Sequence, residues 1–411
     1  MAQRQHYKYR EQKEYPKGLP WHKKFIRGIE RINKVLFLRL LGKILRIHPR
    51  AEPIPLSEVS SVLIIRYDAL GDMIVTTPLW RILKRLKPEI TIGVAGSFKN
   101  LDLLRADPDI DFLYDYTASS LRDFFKISET TRKQQWDVVL MGNFNQKTRN
   151  AVISRLASPH GITATVGSPN VEGHQHLFSR LVSLPLPMNQ MPMTEQLQYL
   201  LSGVIALPEA KPERPSIVID NSIELSVRQE VGSLLEKPGF SKFVLLNIDA
   251  PAFKKWNLAD NIKLAQSISN SYPEYAIILT SLPENKVKME GLLKEADIQR
   301  AFYFATPDIQ FMTALIRCSS LVITPDTSIV HLASAENKPI VSFHLTAGEW
   351  LPYKVDAFVI LPVKGEPISS IPFETVWTAV KTMLDERHDR NDRTTRLVYG
   401  ENPSEVVIRT D

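Results

Sequence analysis

The chain has 411 residues, 44% hydrophobic and 23% charged, which is a globular composition long enough for two or three domains. One cysteine, Cys318, excludes a disulfide scaffold and a thiolate zinc cluster and fits a cytosolic chain; 28 aperiodic prolines beside 17 glycines exclude a collagen-like architecture. The net charge of +6 is uneven: residues 1–50 hold fourteen Lys and Arg against Glu11, Glu14 and Glu30, a balance of +11, and the rest sums to −5.

Residues 1–55 therefore read as a basic arm on a slightly acidic body. From Phe25 to Ile47 the pattern is helical, with Phe25, Ile29, Ile32, Leu36 and Leu40 at spacings of three and four. Seven charged residues interrupt the stretch, too many for a spanning helix. No small-residue cleavage site follows it, so it is not a secretory signal. Two readings stand: residues 23–48 lie on an anionic membrane surface, or the helix packs on the body with a solvated basic face. Nucleic acid is not the expected partner, because no RNA-binding motif follows and the body is acidic.

After a proline-bearing linker, Val62–Arg66 is a continuous apolar run ending in a cation, as expected of a strand buried on both faces of a parallel sheet. A helix is predicted over 72–86, then strands near 90–95 and 111–114, a helix near 119–133 and a strand over 137–141. A helix near 147–157, a strand near 162–166 and a helix over 194–206 complete the first alternation. Residues 207–220, with LPEAKPERPS, read as an interdomain connector. The second alternation predicts strands over 243–249, 276–280, 301–304, 321–324, 340–344 and 357–361. The helices among them fall near 258–271, 285–296, 308–317, 328–337 and 373–386. Residues 387–411 are polar and read as a tail. The fold class is α/β: two tandem Rossmann-like domains, 56–206 and 221–386, facing a cleft. Ligands of such sheets bind outside the carboxyl ends of strands.

Four segments follow predicted strands. Arg66-Tyr67-Asp68-Ala69-Leu70-Gly71-Asp72 puts a carboxylate at a helix start, either a general base or an acid favoured there by the helix dipole alone. Thr324-Pro325-Asp326-Thr327-Ser328, with His331 one turn on, offers backbone N–H groups and hydroxyls to a diphosphate, or simply a helix cap. Lys254-Lys255-Trp256 could neutralise phosphate, and Glu284 could take ribose hydroxyls, or both are solvated loop positions. Arg66, Lys147 and Arg149 follow strands of the first domain and are candidates for an anionic acceptor. GxGxxG at these turns and GxxxxGK[ST] are absent, which argues against a nicotinamide dehydrogenase and a P-loop NTPase. No HExxH or other metal motif occurs, and no cofactor is expected.

Taken in order, these segments resemble the ADP-heptose:lipopolysaccharide heptosyltransferase family, glycosyltransferases of GT-B fold. VLIIRYDALGDMIVTTP (62–78) resembles its first signature and LVITPDTSIVHLASA (321–335) its second; WDVVLMGNFNQKTRNAVISRLA (136–157) resembles the stretch between, and Lys254-Lys255-Trp256 the K-x-W loop. The resemblance covers about 59–386. It implies an inverting, metal-independent transfer of heptose from ADP-heptose to a lipopolysaccharide core or related glycolipid, on the cytoplasmic face of a bacterial inner membrane. It makes Asp72 the base and places Lys254, Asp326 and Thr327 on the donor phosphates, with Glu284 on the ribose. The chain departs from the family at Ser328, usually Gly, and at His344-Leu345-Thr346-Ala347-Gly348, usually beginning G-P-T. Those departures leave two alternatives open: a UDP- or GDP-sugar transferase, or a non-catalytic nucleotide- or glycan-binding relative.

Overall fold

The computed structural model describes residues 21–117, 121–144, 148–167, 173–208, 212–236, 240, 242–281, 283–385, 394–399 and 402–409. The chain opens with α1 (Trp21–Ile44) and a short strand β1 (Ile54–Pro55). The first layered unit then runs β2 (Ser61–Ile65), α2 (Leu70–Ile74), α3 (Pro78–Leu86), β3 (Thr91–Gly96), α4 (Phe98–Leu101) and β4 (Phe112–Asp115). It continues through α5 (Leu121–Arg132), β5 (Val138–Met141), α6 (Thr148–Ala157), β6 (Ile162–Val166), β7 (Arg180–Val182) and α7 (Met193–Val204), and ends at β8 (Ile205–Ala206).

The six main strands form one sheet in the order β4-β3-β2-β5-β6-β7, every neighbouring pair parallel. β2 is buried at all five residues, as its unbroken apolar run required. Strand β1 pairs with β8 in a separate two-stranded ribbon that ties the start of this unit to its end.

The second unit begins with α8 (Asn221–Glu236), β9 (Lys242–Asn247), α9 (Leu258–Ser271), β10 (Tyr275–Thr280) and α10 (Lys286–Glu295). Then come β11 (Ala301–Tyr303), α11 (Ile309–Cys318), β12 (Leu321–Pro325), α12 (Ser328–Ala335), β13 (Ile340–Phe343), β14 (Ala357–Leu361), α13 (Phe373–Asp385), β15 (Thr394–Tyr399) and β16 (Asn402–Arg409). Its sheet runs β11-β10-β9-β12-β13-β14-β15-β16, parallel except for the final antiparallel pair. Residues 394–409 thus extend the sheet where a polar tail was expected. Leu397 and Val398, on opposite faces of β15, are both buried, which the charge-rich flanks obscured.

The helix predicted over 72–86 is two helices. Pro78 at the first position of α3 has no N–H to donate back into α2. Thr76 Oγ1 donates to the Asp72 carbonyl at 2.7 Å and Thr77 Oγ1 to the Ile74 carbonyl at 2.9 Å, closing the end of α2. The connector is pinned rather than loose: Ser216 N donates to Thr77 Oγ1 (3.0 Å), and Gln198 and Glu213 exchange two hydrogen bonds at 2.7 and 2.8 Å.

The two units touch along the crevice. Met193 N donates to the Glu349 carbonyl at 2.8 Å, Tyr353 Oη donates to Glu195 Oε1 at 3.1 Å, and α2 lies against α12. Among the described residues, no helix is long and apolar enough to cross a membrane.

Candidate functional site

In each sheet the strand order reverses at one place, and the carboxyl ends of the diverging strands leave a crevice there. In the first sheet that place lies between β2 and β5; in the second, between β9 and β12. Both are occupied by a cation that reaches across the two strand ends.

Arg66 directly follows β2. Its guanidinium donates to the Gly142 carbonyl after β5 and forms an ion pair with Asp72, and Nε lies 3.8 Å from Asp68 Oδ2. It stacks over the Phe144 ring and is 2% exposed. The terminal nitrogens of Arg66 are taken up by Gly142 and Asp72, while Nε is buried without a hydrogen-bond partner, so the charge is directed at Asp72. Burial of an Arg beside an apolar sheet needs such partners, since an unpaired buried charge costs several kcal/mol, ~3–5 when a partner is removed.

Asp72 stands in the first turn of α2, its side chain 16% exposed. Its Oδ2 accepts the Ala69 N–H at 3.2 Å, so the carboxylate reaches back over the helix start. Gly71 before it has no side chain to spare. A Cβ there would lie 2.7 Å from His331 Cδ2 and 3.7 Å from Ser328 Cα, so glycine is what lets α2 approach α12. Asp72 is thereby brought beside the N-terminus of α12.

That N-terminus is built by β12 and the loop after it. Thr327 caps α12, its Oγ1 accepting the Ile329 N–H at 3.3 Å. Thr324 Oγ1, held by Asn247 Nδ2 at 2.9 Å, lies 3.4 Å from Thr327 Oγ1. Asp326 N donates to the Phe343 carbonyl at 2.8 Å. Lys254, after β9, donates to Asp326 Oδ2 at 2.5 Å and to its carbonyl at 3.3 Å. So Lys254, Asp326, Thr327 and Ser328 form one group around a helix end whose dipole favours anions.

Two histidines back this group. His331, on α12, is buried between Gly71 and Trp350, which meets it edge-on at 5.8 Å. Burial pushes its imidazole below the usual range, against the pull of Asp326 and Asp72. His344, which sequence reasoning named only as a departure, is also buried. Its Nε2 lies 3.0 Å from Ser342 Oγ and its Nδ1 3.8 Å from Asp326 Oδ1. Burial lowers its pKa to about 4, so it is neutral at pH 7.

Glu284 lies in the turn Pro283–Asn285 after β10 and is exposed. Its neighbour Asn285 donates to Asp249 Oδ2 at 3.2 Å, and Asp249 Oδ1 lies 3.4 Å from Lys255 Nζ. On the other side of the crevice, Arg149 is exposed at the start of α6, close enough to Tyr67 to oppose the burial that raises the Tyr67 pKa. Tyr67 Oη donates to Asn150 Oδ1 at 2.5 Å. Lys147 lies outside the described residues. Trp256 is core: its Nε1 donates to the Ile371 carbonyl at 3.0 Å and its ring packs on Phe343 and Phe373. The Gly142 carbonyl and His344 were missed by sequence reasoning; position directly after a strand was the available signal for both.

Two largely parallel sheets with facing switch points, a carboxylate on one side and a helix N-terminus on the other, form the GT-B fold. The chain belongs to glycosyltransferase family 9 (heptosyltransferase), whose model matches residues 124–361, more than half of the sequence. A Haemophilus influenzae protein provisionally named a glycosyltransferase is 23% identical over 304 residues, covering 70% of this chain and 82% of its own. The fold is that of a family 9 glycosyltransferase from Veillonella parvula (TM-score 0.65, 16% identity, 79% of this chain and 97% of that one). The E. coli heptosyltransferase WaaC, solved with ADP-2-deoxy-2-fluoro heptose, superposes with a TM-score of 0.61 at 14% identity, over 79% of this chain and 99% of that one.

Proposed function

We propose that this glycosyltransferase moves heptose, or a closely related sugar, from an ADP-linked donor to an anionic surface glycolipid such as a lipopolysaccharide core, with inversion and with Asp72 as general base. The observation that carries the reading is the approach of α2 to α12 at Gly71, which sets the Asp72 carboxylate beside the helix end around Thr327 and Ser328. The ADP-2-deoxy-2-fluoro heptose bound by the similar E. coli enzyme supports the adenine nucleotide.

The donor diphosphate rests on the N–H groups at Thr327 and Ser328, its charge met by Lys254 after that side chain leaves Asp326. Glu284 takes the ribose hydroxyls. Arg149 and Lys147 hold the acceptor's phosphate or carboxylate. Asp72 removes the acceptor hydroxyl's proton as the oxygen attacks the anomeric carbon. The bond from that carbon to the diphosphate oxygen breaks on the opposite face, and its electron pair leaves with ADP. Arg66 orients Asp72, and His331 with Gly71 walls the base from the diphosphate. General-base catalysis of this kind contributes ~10²–10⁴-fold.

The test is calorimetric titration of ADP, UDP and GDP into the full chain, followed by transfer from ADP-heptose to a heptose-free lipopolysaccharide core by wild type and Asp72→Asn. Selective ADP binding is expected, with transfer lost ~10²–10⁴-fold in Asp72→Asn and ADP affinity kept. Full turnover by Asp72→Asn overturns the base assignment. Ser328 favours a second reading, a non-catalytic relative, because its Cβ and hydroxyl stand where the family usually has glycine. Binding of none of the three nucleotides would select that reading, whereas preference for UDP or GDP would leave the base in place and change the donor sugar.

A further inference from the structure

Helix α1 has two apolar faces, and among the described residues only one packs against the protein. Leu38 is 1% exposed and Gly42 is buried. A Cβ on Gly42 would fall 2.0 Å from the His176 carbonyl oxygen, and one on Gly173 would fall 2.8 Å from Leu38 Cδ1. The helix is therefore seated tightly on the turn around His174–His176 in the first unit. The stripe that periodicity singled out faces the other way. Ile32, Leu36, Phe37, Leu40 and Ile44 are 56–68% exposed. At ~100° per residue they span an arc of about 140°, away from Leu38 and Gly42.

We propose that α1 docks the enzyme on an anionic lipid bilayer, with Ile32, Leu36, Phe37, Leu40 and Ile44 in the boundary between headgroups and acyl chains. Lys34, Arg39 and Lys43 are exposed on the same helix and Arg46 in the turn after it, and no acidic residue occurs between Ile32 and Arg46. Such a helix lies in the membrane plane: an apolar arc supplies buried area and the cations meet anionic headgroups. The charge distribution selects the bilayer over a second copy of the chain. Pairing two α1 helices through this face would bring eight cations together, whereas an anionic leaflet neutralises them. The rest of the chain, at −5, is repelled by the same leaflet, so the arm alone sets the orientation. Because Leu38 and Gly42 fix α1 to the first unit, the unit proposed to take the acceptor is the one held at the membrane.

The experiment uses the full chain and needs no donor, so it stands apart from the assignment of the reaction. Co-sedimentation is measured with vesicles of phosphatidylcholine alone and of phosphatidylcholine with phosphatidylglycerol, and sedimentation velocity gives the oligomeric state. Wild type is expected on the anionic vesicles and at least about tenfold less on the neutral ones. The variant Leu36→Ser/Phe37→Ser/Leu40→Ser changes only outward side chains. Its thermal melt should match wild type while vesicle binding falls at least about tenfold. Lys34→Gln/Lys43→Gln should weaken binding about fivefold per charge. Absence of wild-type binding to anionic vesicles overturns the proposal, as does equal binding by the serine variant. A wild-type dimer that the serine substitutions dissociate would also overturn it and assign the face to a second copy.

Discussion

The two switch points solve the same geometric problem with opposite chemistry. In each sheet a cation after the central strand bridges to the loop after its neighbour: Arg66 to Gly142, Lys254 to Asp326. Arg66 is buried and permanently committed, which fixes one carboxylate, Asp72, in place. Lys254 is half-buried, paired with Asp326 at a helix end and lying over the Phe253 ring, an ion pair that a stronger anion could replace. In the proposed mechanism, one half holds a base still and the other exchanges an internal anion for a bound one.

This contrast can be broken from either side. The largest effect should come from Arg66→Gln, which leaves Asp72 without its charge partner. A stability loss of ~3 kcal/mol is expected in denaturant unfolding, together with a fall in kcat rather than a rise in KM. A loss under ~1 kcal/mol would show that the pair is dispensable. Lys254→Met should do the reverse, keeping stability near wild type while nucleotide affinity falls about 10- to 100-fold in calorimetry. Affinity equal to wild type would remove Lys254 from the donor site.

Acidification should act on the second half. His344 has a folded pKa of about 4 against ~6.5 unfolded, so between those values the unfolded chain binds the extra proton. Its stabilising contribution is complete above ~pH 6.5 and is lost as pH falls towards 4. By pH 5 the loss is ~2 kcal/mol, and His331 is shifted in the same direction. Melting temperature measured at pH 7.5 and pH 5 checks this, and His344→Gln should flatten the dependence. The smallest effect is expected for Gly71→Ala, ~1 kcal/mol from overpacking against His331, but it should lower activity by separating the halves. Unchanged activity would mean that the contact between α2 and α12 does not set the reacting geometry.

Much of this arrangement was readable in the chain. Continuous apolar runs such as Val62–Ile65 and Leu321–Ile323 named the central strands, and the residues just after them named the crevice. The outward stripe of α1 was readable from spacing, because helical periodicity shows which residues share a face. It does not show which face a body will take, and here Leu38 and Gly42 dock while the stripe stays out. The internal partner of Arg66 was not readable, since its length lets it turn inward to Gly142, a residue 76 positions away. The break at Thr76–Pro78 was hidden by an apolar pattern that continues through it. Helix α8 was not read, because Val227, Val231 and Leu235 are its only buried residues among polar neighbours.

The last strands bear on how the chain can be handled. Ending the polypeptide at Asp385, near the limit of the family resemblance, would strip β15 and β16 from the sheet. Strand β14, whose five residues are all buried, would then show a bare row of N–H and C=O groups. Such an edge is a template for joining molecules strand to strand. Residues remote from any chemistry thus act as the selvedge of the sheet, and trimming them would expose the chain to aggregation.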